Sequence, residues 1–98
     1  MALTSKRRAE LRAEAHHLSS TVHVGQQGLT PSLLTSLDDA LRTHELVKVQ
    51  IARQADLPAR VAATHLADTL NADIVQVIGR TTTLYRWNPD LKRKREDS

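Results

Sequence analysis

The sequence predicts one α/β domain, two-layered and ordered αβαβαββ, in which a mixed four-stranded sheet carries packed helices. Three observations lead there. Short β-branched and aliphatic runs at Thr21 to Val24, Leu46 to Ala52 and Asp73 to Ile78 alternate with stretches whose apolar residues recur at helical spacing. Strand-helix-strand units imply right-handed crossovers and parallel pairing. Gly79-Arg80 then separates the last two β-like runs by a turn of hairpin length, which adds an antiparallel strand. A chain of 98 residues has room for one modest core, which makes a deep catalytic cleft hard to build.

Residues 4 to 17 read as the first helix, with Leu11, Ala15 and Leu18 forming its apolar stripe. Arg7 and Arg8 flank that stripe, where their aliphatic stems cover its edge while the guanidinium groups point outward. Arg12 adds to the basic character of the same helix, and Arg7 with Glu10 has the spacing of an intrahelical ion pair. His16 and His17 fall near the helix end, where a cation or a capping donor is favoured. Thr21-Val22-His23-Val24 is a short strand of a length that suits a sheet edge, ended by Gly25.

Between that strand and the next helix lies Gly25-Gln26-Gln27-Gly28-Leu29-Thr30-Pro31. Glycines at this spacing permit positive φ and close approach of a bulky ligand. Thr30 is the expected N-cap and Pro31 the first helical residue, with Leu29 and Leu34 placed to form a hydrophobic staple. Two readings fit: a tight strand-to-helix connection, or a loop whose amides and helix dipole receive a phosphate backbone.

Pro31 to His44 give the clearest helical pattern, with Leu33, Leu34, Leu37, Ala40 and Leu41 on one side. His44 falls on that stripe and is expected to be a packed, locally hydrogen-bonded histidine. In the strand Leu46 to Ala52, Val47, Val49 and Ile51 share one face and Leu46, Lys48 and Gln50 the other. Arg53 to Asp56 connect to a third helix, opened by Asp56 or Leu57 with Pro58 and stopped near Asn71. Its small stripe, Ala59, Ala62, Ala63, Leu66, Ala67 and Leu70, suits close packing on a sheet.

Asp73 to Ile78 and Thr81 to Trp87 form the closing hairpin, ended by Asn88-Pro89. Tyr85 and Trp87 share a face of the last strand. With one Tyr, one Trp and no Phe in the chain, both are expected to pack the core or its margin rather than stack on bases. Residues 1–87 are the expected domain, and residues 88–98 a basic tail, disordered without a partner.

The chain has no cysteine and carries a net charge of +3, which excludes disulfides and thiolate metal sites and favours an anionic partner. Lys6-Arg7-Arg8 with Arg12, and Lys92 to Arg95, gather charge at the two ends, while Arg53, Arg80 and Arg86 fall near strands. Such clusters are either solvated surface or a nucleic-acid contact. No apolar run approaches a membrane span, and no signal core follows the N-terminal charges, so the expected location is cytoplasmic. His44-Glu45-Leu46-Val47-Lys48 begins like a zinc-protease helix but has Lys48 where the second histidine must stand. No serine sits in a nucleophile elbow and no Walker lysine follows the glycine loop. Neither an enzyme, a metal site, a small-molecule substrate nor a cofactor is expected.

Several stretches together resemble the CRM domain family (chloroplast RNA splicing and ribosome maturation) in its stand-alone bacterial YhbY form. They are Leu11-Arg12 with Ala15-His16, Val24 through Thr30, His44 through Val49, and Val75 through Thr81 with Leu84-Tyr85-Arg86. The resemblance runs from about Leu3 to Arg86. It implies a compact RNA-binding fold similar to the C-terminal domain of translation initiation factor three. It also implies RNA-backbone contact at Gly25 and Gly28, a basic strand position at Lys48, and an association with large-subunit ribosomal precursors. Many family members carry a lysine between the loop glycines, where this chain has Gln26 and Gln27, so charge must come from Arg7, Arg8, Arg12 or the tail. The expected RNA-binding set is therefore Gly25, Gln26, Gln27, Gly28, Arg7, Arg8, Arg12, Lys48, Arg80 and Arg86. The expected function is non-catalytic contact with ribosomal RNA by a monomer. The alternative is an adaptor that docks on a ribosomal protein or assembly factor.

Overall fold

The computed structural model describes residues 3–18 and 21–91. Helix α1 (Ser5–Ala15) precedes strand β1 (Thr21–Val24), helix α2 (Pro31–His44) and strand β2 (Leu46–Ile51). A 3-10 turn (Arg53–Ala55) then leads to helix α3 (Ala59–Leu70) and the hairpin β3 (Asp73–Ile78) and β4 (Thr81–Tyr85). The sheet order is β1-β2-β4-β3. β1 lies parallel to β2, with Thr21 opposite Lys48 and Val24 opposite Ile51. β4 is antiparallel to both its neighbours, so β2 and β3 run the same way without pairing. The mixed sheet is as expected, and the last strand is inserted between β2 and β3, a place in the order that the sequence reading left open. That central place matches its burial, for Thr82, Thr83, Leu84 and Tyr85 are all buried.

Alternation along β2 decides the packing. Val47, Val49 and Ile51 face α2 and α3 in a core with Leu37, Leu41, Ala62, Leu66 and Leu84. Leu46 faces the other way and packs with Leu11 and Ala15 of α1, Val75 and Tyr85. Beyond the expected layer of helices on one side, α1 thus half-covers the second face of the sheet. A register shift between Ile74 and Gln76 lets Val75 join the α1 cluster, while Ile74 and Val77 pack against the larger core.

Several local expectations change. His44 is exposed rather than packed, because α2 ends there and Glu45 turns the chain at φ 64°. Asp56 does not cap α3. It takes the left-handed conformation after the 3-10 turn, and Pro58 stands at the N-cap position. β4 ends at Tyr85, two residues short of the predicted end, because its partners start opposite it at Leu46 and Asp73. Trp87, beyond the strand, is exposed while Tyr85 is buried, so the two aromatics do not share one packing role. Asn71 does stop α3 in the left-handed conformation. Of the basic tail, residues 92–98 lie outside the described residues.

Candidate nucleic-acid interface

Because β1 and β2 are parallel, their C-terminal ends emerge side by side and bring the loop after each together. After β1, the Gly28 N–H donates to the Gly25 carbonyl at 3.0 Å, a four-residue turn with Gln26 and Gln27 exposed at its tip. Only Gly28 has positive φ, at 74°. Nothing lies within 4 Å of the position a Cβ would take at Gly25 or Gly28, so both glycines face open space. Thr30 caps α2 as expected, its Oγ1 accepting from the Leu33 N–H at 3.1 Å, and Pro31 opens the helix. That cap has a consequence for anion binding. With no N–H on Pro31 and that of Leu33 taken, the first three helical positions leave one amide, Ser32. Amides alone make a thin phosphate cradle here, and cations must supply the rest.

The open part of the sheet supplies some of them. His23 and Gln50 lie opposite each other on the face that carries α1, and both line a hollow of about 400 Å³ with Gly25, Arg53 and Arg80. Beside it, Lys48 lines a second hollow of about 220 Å³ between the end of α1, at Ala15 and His16, and Gln76, Ile78, Thr81 and Thr83. Arg8, Arg12 and His16 recur every four residues along α1 and so form one row leading to that hollow. Among the described residues no ion-pair or hydrogen-bond partner holds the side chains of Arg8, Arg12, Lys48 or Arg53. Gly25, the open sheet face and the end of the helix row thus line neighbouring hollows that carry His23, Gln50, Arg53, Lys48 and His16.

The remaining arginines are otherwise engaged. Arg80 donates from Nε to the Ile51 carbonyl at 2.8 Å and from Nη2 to the Ala52 and Leu57 carbonyls, both at 3.0 Å, tying the hairpin tip to the end of β2. It lines the hollow beside Gly25, yet most of its donors are used within the fold. Arg86 lies at the opposite end of the sheet. Its guanidinium meets Asp38 Oδ1 at 2.8 Å and the Leu70 and Asp38 carbonyls at 2.9 and 3.1 Å. Arg7 is also at that end, over the Tyr85 ring at 5.3 Å and paired with Glu10 at 3.2 Å and Glu14 at 3.6 Å. Hydrogen bonding to Tyr85, aided by Glu10 and opposed by burial, holds its pKa above the ordinary arginine value. The structure thus gathers Gly25, Gln26, Gln27, Gly28 and Arg80 at one end, with Lys48 and the Arg8–Arg12 row alongside, and separates Arg7 and Arg86 from them.

Two residues in this surface were outside the expected set. Arg53 follows β2 and His23 alternates into the open face of β1. Both signals are in the sequence, but reading them needs the knowledge that the two strands are parallel neighbours with one face half-open. Glu45 is a structural counterpart. Buried at the end of α2, it accepts the Asn88 N–H at 2.6 Å through Oε2, and its carbonyl accepts from the Arg86 N–H at 2.9 Å.

Comparison with known proteins finds relatives over nearly the whole chain. A probable RNA-binding protein of Pseudomonas aeruginosa is 36% identical over 89 residues, covering 91% of this chain and 86% of that protein. The probable RNA-binding protein YqeI of Bacillus subtilis is 31% identical over 91 residues, covering 93% of this chain and 95% of its own length. The solution structure of a hypothetical protein of Staphylococcus aureus, itself proposed to bind RNA, superposes with a TM-score of 0.69 at 29% identity, covering 93% of this chain and 95% of that one. Residues 3–86 match the model of the CRS1 / YhbY (CRM) domain, and the chain belongs to that family.

Proposed function

We propose that this protein is a non-catalytic RNA-binding protein that contacts ribosomal RNA during assembly of the large subunit. It acts in the cytoplasm as a monomer. The observation that carries the reading is the Gly25–Gly28 turn, whose glycines face open space and whose Gly25 lines a hollow with Arg53 and the open sheet face. Relatives named as RNA-binding proteins support the RNA class. The contact is to backbone and shape: the turn offers glutamine amides and close approach, and the arginine row offers unpaired charge. Ribosomal RNA follows from the family resemblance rather than from a feature of this surface.

The test is recovery of RNA crosslinked in cells to the tagged full chain, compared with a Gly25→Ala, Arg53→Gln variant. Enrichment of large-subunit precursor RNA by the wild type, reduced at least about tenfold in the variant, is the expected result. RNA recovered in proportion to cellular abundance would remove the ribosomal assignment. Recovery of a ribosomal protein without RNA would favour the adaptor reading instead.

A further inference from the structure

A cavity of about 460 Å³ opens at the end of the sheet away from the glycine loop, with Thr4 and Arg7, Asn71 and Asp73, and Tyr85 and Trp87 among its walls. Leu46, paired with Tyr85 at this end, and Ile51, at the loop end, are separated by roughly 17 Å along β2. The wall is firm where Tyr85 is buried under the Arg7 guanidinium. Trp87 differs, being 58% exposed. Asp73 is half-buried, and among the described residues its carboxylate has neither an ion pair nor a hydrogen bond.

An exposed indole beside an acceptor-only group suits a flat heterocycle with adjacent N–H donors. Among the four RNA bases only guanine carries two such donors side by side, N1–H and the N2 amine. Uracil has one N–H between carbonyls that would face the carboxylate, while adenine and cytosine set an amino group beside an acceptor nitrogen. Asn71, two residues before Asp73, also lines the cavity and carries an amide donor for guanine O6. An apolar peptide side chain would fill the space and leave Asp73 unpaired.

We propose that this cavity receives one unstacked guanine of the bound RNA, stacked on Trp87 with its N1–H and N2–H donated to Asp73. The proposal rests on the RNA-binding reading and adds to it a base-specific contact remote from the glycine loop.

Trp87 is the one tryptophan of the chain, so its emission reports on the pocket directly. The experiment titrates the full chain with single-stranded RNA oligomers that contain one guanine, or inosine, adenine, cytosine or uracil in its place. Trp87 emission is followed beside the anisotropy of a labelled structured ribosomal RNA. Guanine is expected to quench Trp87 at concentrations at least about tenfold lower than inosine, which lacks the N2 amine. Asp73→Asn is expected to abolish that preference while circular dichroism stays unchanged. Structured RNA bound with Trp87 emission unchanged, equal quenching by all bases, or an unaltered guanine preference in Asp73→Asn would each overturn the pocket alone. Failure to bind any RNA at any salt would overturn the RNA-binding reading and the pocket with it.

Discussion

At the residue scale the two loop glycines are not equivalent, although their spacing makes them look so. Gly28 sits at positive φ and Gly25 does not, while a side chain at either would meet open space. Gly28→Ala is therefore expected to lower stability in urea by about 1 kcal/mol through backbone strain. Gly25→Ala is expected to stay within about 0.5 kcal/mol of the wild type and to act on RNA binding alone. Equal stability losses in the two would contradict the assigned conformations. Arg86 is the opposite case, a cation whose sequence position suggested RNA and whose guanidinium bonds to Asp38 and two carbonyls. Arg86→Met should cost about 2 kcal/mol in denaturant unfolding, because it leaves part-buried acceptors without their donor. No residue count distinguishes Arg86 from Arg8. The difference is long-range, since Asp38 is 48 positions away.

At the element scale, local chemistry was legible where it is self-contained. Thr30 and Pro31 start α2 and Asn71 stops α3 through interactions within a few residues, and Gly79 turns the hairpin at positive φ. Thr30→Ala is expected to lower stability by about 1 kcal/mol, measured by urea denaturation, and to loosen the start of α2 against the loop. An unchanged midpoint would show that the cap contributes nothing. What was not legible came from partners. The end of β4 is set by where β2 and β3 begin, and the exposure of His44 by a positive-φ turn at Glu45 that its side-chain chemistry does not suggest. The insertion of β4 between β2 and β3 was likewise hidden, because strand-helix-strand and hairpin patterns state which strands are linked and not which are neighbours.

At the scale of the whole molecule, the sheet is a divider. One face is closed by α2 and α3, and the other is half-closed by α1, which leaves His23 of β1, Lys48 and Gln50 of β2 and, at the start of β4, Thr81 at least partly open. The candidate site was legible as to the loop and the first helix, and much less so as to the arginines, since charge in a sequence does not show which guanidinium groups the fold itself has taken. The central claim is that Arg8, Arg12, Lys48 and Arg53 meet RNA phosphates beside the loop. Anisotropy of a large-subunit RNA fragment over a salt series, for the wild type and for the chain with these four changed to glutamine, tests it most directly. The account predicts binding that weakens steeply with salt in the wild type, and a slope shallower by about three units in the variant, with circular dichroism unchanged. A slope that is flat in the wild type, or the same in both proteins, would contradict it.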